Sequence, residues 1–298
     1  MQTQTLQVEE GARIAVRRYE PEGASRASIV IGGAMGVRQS FYEPFATWLA
    51  QQGHAVWTFD YRGSGDSLDG APLRSVKADL FDWARDYEAV IDAAKVARPG
   101  QPLYLLGHSL GAQLPGFLQK PEQVDGLVSI AAGSGYWREN APRLKRSVLY
   151  FWFVLVPLAT RIWGYFPGRR LRKVGDLPRG VILQWRKWCL HPRYSVGAEG
   201  ELAARSFARV RFPVLALSMT DDELMTQAGT RSLLSFYPGA PTEMERIAPA
   251  DVQARRIGHF GFFREQFSQS LWPGLLERLS RLGALAAVQQ GGVTKTTA

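Results

Sequence analysis

A chain of 298 residues, 46% of them hydrophobic, has the length and apolar content for one large folded domain and excludes a largely disordered protein. Its single cysteine, Cys189, excludes an internal disulfide and any cysteine-based metal cluster. The net charge of +9 is concentrated: between Ala141 and Lys187 stand eleven lysines and arginines against one acid, Asp176, so the rest of the chain is nearly neutral.

The opening "LQVEEGARIAVRRYEP" reads as two short strands joined at Gly11. No basic start leads into an apolar run, so no signal peptide is expected, and with the lone cysteine this points to the cytoplasm. "ASIVIGG", Ala27 to Gly33, is a continuous apolar run ending in glycines, the pattern of a strand buried on both faces. Phe41, Phe45 and Leu49 follow at helical spacing, with Gly53 as the stop. "HAVWTFDY" is a second buried strand and "RGSGDS" a loop; Asp60 and Arg62 read as structural ties from the strand end to neighbouring loops, and Asp66 and Ser67 as turn or cap residues. A long helical pattern, "VKADLFDWARDYEAVIDAAKVA", precedes the third buried strand, "PLYLLGHS". Helix-like "LGAQLPGFLQ" and a fourth strand, "VDGLVSIAAG", come next.

The alternation then stops. Ser134 to Arg205 is aromatic, basic and irregular, with five of the nine tryptophans. Its apolar stretch from Val148 to Thr160 is too short to span a bilayer and is followed by Arg161, so no transmembrane segment is expected. "VLALSMT" resumes the pattern at Val214, and a long helix is expected from Gly261 to about Leu282. Strand–helix alternation implies an α/β fold with a mostly parallel sheet and helices on both faces. The expected division is a core of residues 1–133 and 206–283, an inserted cap of 134–205 and a disordered tail of 284–298.

Gly107-His-Ser-Leu-Gly111 follows a buried strand and opens a helix, the setting of a nucleophile elbow. The turn lifts Ser109 above the strand end, the two glycines leave room for a tight backbone, and the helix at Leu110 aims its first amides at an oxyanion. A nucleophilic serine needs a base and an orienting acid, here in the chain order Ser, acid, His. Of four histidines, His54 begins a strand, His108 points away from the serine, and His191 lies in the insert. His259, in "RIGHFGFF" after the last strand, is the candidate base; the competing reading is a loop histidine capping the final helix. The acid should close the strand that resumes after the insert. "LSMTDDELMT" offers Asp221, Asp222 and Glu223; Asp222 is favoured because it opens the turn, with Asp221 as runner-up. The oxyanion donors are expected to be the N–H groups of Leu110 and Met35, with Ala34 as the alternative to Met35.

Taken with "GGAMG", "FDYRGSGDS" and "GHFGFF", these motifs make the chain resemble an α/β-hydrolase of the serine esterase/lipase type over about Leu6 to Leu282. The set is also similar to a bacterial α/β-hydrolase group laid out like monoacylglycerol lipases. One departure is Gly33-Ala34, where many relatives carry His-Gly in the oxyanion loop. The resemblance implies two-step acyl transfer from an ester or thioester with a hydrophobic acyl group, and no metal or organic cofactor. The same residues would serve an amidase or acyltransferase, and a non-catalytic binding module is the rival from another class. No nucleic-acid motif accompanies the charge, so the basic cap is read as a site for anionic lipid or an anionic substrate.

Overall fold

The computed structural model describes residues 1–68 and 70–293. Eight strands form one sheet: β1 (Gln2–Gln7), β2 (Arg13–Tyr19), β3 (Ser28–Gly32), β4 (Ala55–Phe59), β5 (Leu103–His108), β6 (Gly126–Ile130), β7 (Val214–Met219) and β8 (Thr242–Ile247). Their order is β1-β2-β4-β3-β5-β6-β7-β8. The first three ladder positions reflect an N-terminal hairpin: β1 pairs antiparallel with β2, and β2 antiparallel with β4, while every other pair is parallel. β3 to β7 are buried at every residue, as the unbroken apolar runs require when helices cover both faces. β8, "TEMERI", is an edge strand with one neighbour, which is why it tolerates charges at three positions.

One face of the sheet is covered by α1 (Glu43–Gln51) and the C-terminal helix, which pack through Phe45, Leu49, Leu275 and Leu279. The other is covered by α2 (Leu80–Ala97), through Trp83, Tyr87 and Val90. Asp79 caps α2, accepting from the N–H groups of Phe81 and Asp82, while the Asp82 carboxylate accepts from Asp79 N–H. Asp60 accepts from the N–H groups of Gln39 and Asp66, and Arg62 pairs with buried Asp86, so this loop is tied down as a unit.

Three expectations change in detail. The helix after Ser109 is a single α-turn, α3 (Leu110–Gln113), continuing as a 3₁₀ turn over Leu114–Phe117, because Pro115 has no N–H to extend the ladder. The final helix does not begin at Gly261. Residues 261–263 and 265–267 form separate 3₁₀ turns that bury Phe262, Phe263 and Phe267. The long helix instead starts at Pro273, the position where a fixed φ favours initiation. It runs to Val293, through much of the segment expected as a disordered tail; residues 294–298 lie outside the described residues.

Between β6 and β7 the chain builds the cap from α4 (Lys145–Tyr150), a π-turn (Phe151–Leu155), α5 (Val156–Trp163), α6 (Arg179–Leu190), α7 (Tyr194–Ala198) and α8 (Glu201–Arg209). The boundary expected at Arg205 falls inside α8. Pro157 sits within the apolar segment just after the wide π-turn, at the start of α5, where a missing N–H costs least. Trp152, Val156, Phe166, Val181 and Trp188 share one apolar cluster with Met35, Trp83 and Leu110, so the cap is continuous with the core above the sheet. Among the described residues no helix is long and apolar enough to cross a membrane.

Candidate active site

The C-terminal ends of the parallel strands converge on Ser109. It holds φ 53° and ψ −111°, a region L-residues rarely adopt and which costs on the order of 1–3 kcal/mol. The surrounding structure imposes that geometry. A Cβ on Gly107 would lie 2.5 Å from the Ala112 backbone, and one on Gly111 would lie 2.0 Å from the Gly32 carbonyl. Ser109 N–H donates to the Ile130 carbonyl at 3.1 Å, anchoring the turn to β6.

His259 sits in the loop after β8. Its Nδ1 lies 2.8 Å from Asp222 Oδ2, and both side chains are nearly shut off from solvent. The carboxylate accepts Nδ1–H, which leaves the Nε2 lone pair free to take a proton. The other Asp222 oxygen, Oδ1, accepts from the N–H groups of Leu224 and Met225 at 2.9 and 3.0 Å, so the acid is itself oriented by backbone. Asp221 points elsewhere. Its carboxylate accepts from the N–H groups of Ile257 and Gly258, fastening the backbone that carries His259. Two adjacent acids therefore divide the work: one meets the imidazole and the other holds its loop.

In the loop after β3, Ala34 N–H donates to the Tyr42 hydroxyl at 2.9 Å. Among the described residues, the N–H groups of Met35 and Leu110 donate to no protein acceptor. Gly36, at φ +69°, packs against Gly175 of the cap so closely that a Cβ on it would stand 2.5 Å from Gly175 N. The basic turn of the cap thus rests directly on this loop. The segment that enters the cap is stapled to the turn after β7: Ala141 N–H donates to the Glu223 carbonyl, Asn140 to the Leu224 carbonyl, and Arg143 pairs with Glu223. No spacing in the sequence signals these contacts, because they join segments far apart in the chain.

Among the described residues, none of the other three histidines pairs with a carboxylate. His191 accepts from Arg193 N–H within the cap. His54 is buried before β4, where desolvation and then Arg26 lower its pKa. His108, next to Ser109 in the chain, is fully buried, and burial pushes its pKa well below the usual value, followed by the field of His259. A histidine that is neutral when folded binds no proton in a range where the unfolded chain, with a pKa of about 6.5, does. Stability is then complete above that pH and declines as pH falls beneath it, by up to about 1.4 kcal/mol per pH unit per group. Replacing His108 with Gln is expected to flatten the acid limb of Tm against pH between about 6.5 and 5; an unchanged limb would assign the acid sensitivity to other groups.

Comparison with known proteins agrees with this architecture. A soluble variant of monoglyceride lipase from Saccharomyces cerevisiae, solved with a substrate analogue, superposes with a TM-score of 0.68 over 94% of both chains at 14% identity, a likeness of fold. In sequence, the chain is 29% identical to monoglyceride lipase of Homo sapiens over 124 residues, which is 41% of this chain and 40% of that one. It is 32% identical to lysophosphatidylserine lipase ABHD12 of Gallus gallus over 126 residues, 38% of this chain and 30% of that one. These matches span less than half the length of either relative. The family model described as serine aminopeptidase, S33, matches residues 23–176, a segment that contains Ser109 and ends before Asp222 and His259. With its eight-stranded α/β-hydrolase sheet, the chain belongs to the serine aminopeptidase, S33 family.

Proposed function

We propose that this chain is a serine hydrolase that cleaves a carboxylic ester, or thioester, through an acyl-enzyme. The observation that carries the reading is the buried Asp222–His259 pair in a chain whose Ser109 is held in a strained turn at the end of β5. His259 takes the proton of Ser109 as its oxygen attacks the carbonyl carbon. The N–H groups of Met35 and Leu110 hold the resulting oxyanion. Met35 is favoured over Ala34 because Ala34 N–H is already spent on Tyr42. The intermediate collapses, His259 protonates the departing alcohol or thiol, and the acyl group stays on Ser109. Water then gives its proton to His259 and attacks the acyl carbon, and the acid leaves as the serine is regenerated. The aminopeptidase named in the family description would have to attract a cationic amino terminus, and the cap's charge opposes that.

The cap supports an amphiphilic substrate drawn from an anionic lipid surface. Tyr150, Val154, Leu158 and Ile162 recur every four residues along α4, the π-turn and α5, and all are exposed, with Phe153 beside them. Their opposite face, Trp152, Val156 and Ala159, is buried against the core. Exposed Arg169, Arg170, Arg172 and Lys173 follow this stripe in the chain, with Arg170 over Trp163 and Arg186 over Phe153. Apolar side chains flanked by guanidinium groups suit the boundary between acyl chains and anionic headgroups.

Two measurements test this reading. With soluble aryl esters, kcat/KM is expected to climb from acetyl towards octanoyl by up to about four-fold per methylene, the rate equivalent of ~0.8 kcal/mol. Reversing charge at Arg169, Arg170 and Arg172 is expected to weaken binding to vesicles containing phosphatidylglycerol, most at low salt. A flat chain-length profile together with unchanged vesicle binding would reduce the cap to packing.

A further inference from the structure

We infer that His108 is a positioning residue: with Tyr42 it forms a buried hydrogen-bonded relay that holds the oxyanion loop and the loop of the base in one fixed relation. The inference rests on the acyl-transfer reading above.

Three links make the relay. Ala34 N–H donates to the Tyr42 hydroxyl at 2.9 Å. That hydroxyl lies 2.8 Å from His108 Nδ1. His108 Nε2 lies 2.9 Å from the carbonyl oxygen of His259. The chemistry of the two ends sets the direction of every link. A backbone N–H only donates and a backbone carbonyl only accepts. Tyr42, having accepted from Ala34, gives its own hydrogen to Nδ1, and His108 carries its proton on Nε2 to satisfy His259. One tautomer of one neutral imidazole completes the chain, and either a second proton or the other tautomer breaks it.

The surroundings keep the relay intact. His108, Tyr42 and Ala34 are all buried. The His108 ring is boxed by Phe263, Phe260 and Tyr42, with centroids at 4.8, 5.5 and 5.9 Å. Among the described residues, the other titratable ring against it, besides Tyr42, is His259 at 5.1 Å. With water kept out, each bond is electrostatically stronger than its counterpart at the surface.

The two ends of the relay are the two parts of the site whose mutual placement matters most. At one end, Ala34 N–H is spent on the Tyr42 hydroxyl, which leaves the neighbouring Met35 N–H as the donor in the loop. At the other, the His259 carbonyl is tied down, while Asp221 holds the N–H groups of the two preceding residues. The base is thereby anchored on both sides of its Cα and aimed through Asp222. Misplacing reacting groups by about 1 Å can cost on the order of 100-fold in rate. A packing histidine would instead affect only stability.

The test uses Tyr42→Phe, His108→Leu, His108→Gln and the Tyr42→Phe/His108→Leu double variant. Each is assayed for kcat and KM on a short-chain aryl ester, for its rate of fluorophosphonate labelling, and for Tm. Tyr42→Phe and His108→Leu are expected to lower kcat by about 10- to 100-fold with KM within about two-fold. The double variant should lose no more than the worse single, since both break one unit. Gln can accept from Tyr42 through Oε1 and donate to His259 through Nε2, so His108→Gln should recover kcat to within about three-fold of the unaltered enzyme. Equal kcat for the Leu and Gln variants, or wild-type kcat in Tyr42→Phe, would overturn the relay. Tyr42→Phe removes a single hydroxyl and decides the matter even if His108→Leu fails to fold. If the unaltered enzyme itself is not labelled, the acyl-transfer reading fails; if it is labelled and the variants label at the same rate, the relay alone fails.

Discussion

Ser109→Ala is expected to abolish ester hydrolysis and fluorophosphonate labelling while leaving Tm within a few degrees of the original. Alanine keeps the Cβ and meets the same backbone strain at φ 53°, so the fold loses only a hydroxyl in a buried site. The reaction loses its nucleophile, and with it the group whose proton His259 would take. Removing such a serine costs roughly 10⁴- to 10⁶-fold in kcat, the residue being supplied by binding and by the oxyanion amides. Near-wild-type turnover in the alanine variant would remove Ser109 from the mechanism and with it the acyl-enzyme.

The second large effect separates two adjacent acids. Asp222→Asn is expected to lower kcat by roughly 10⁴-fold, through the tautomer of His259. Asp222 Oδ1 receives two backbone N–H groups. In the variant, the amide oxygen stays with those donors and the NH₂ turns towards His259. An NH₂ facing Nδ1 demands a lone pair there, which puts the imidazole proton on Nε2, where the base has to be empty. Asp221→Asn keeps one oxygen able to accept from Ile257 and Gly258 as Oδ2 does now, so the loss should be about 10-fold or less. The reverse ranking in kcat would transfer the acid's role to Asp221.

Much of the fold is legible in the sequence because its central strands are buried on both faces. Ile29–Ile31 and Leu105–Leu106 are unbroken aliphatic runs inside their strands, and the two glycines around Ser109 mark a turn with no room for side chains. The edge strand β8 is less legible, since an exposed edge accepts Glu243, Glu245 and Arg246 without cost to the core. The onset of the last helix was hidden by aromatics. Phe262, Phe263 and Phe267 look helical in spacing, yet they are buried from short turns, and Pro273 is where the helix begins.

Local chemistry therefore determined the sheet, the elbow and the short roster of groups around it, because each of these depends on neighbours within a few residues. Only the tertiary structure decided which of Asp221 and Asp222 meets the imidazole, since successive side chains diverge and the partner lies 37 residues away. It alone decided that Ala34 N–H is taken by Tyr42, and that His108 joins the Ala34 loop to the His259 loop. It also decided which side of the apolar cap segment faces out, because that depends on the core the cap packs against. Periodicity records how much of a segment is apolar; long-range packing decides which partner each polar atom finds.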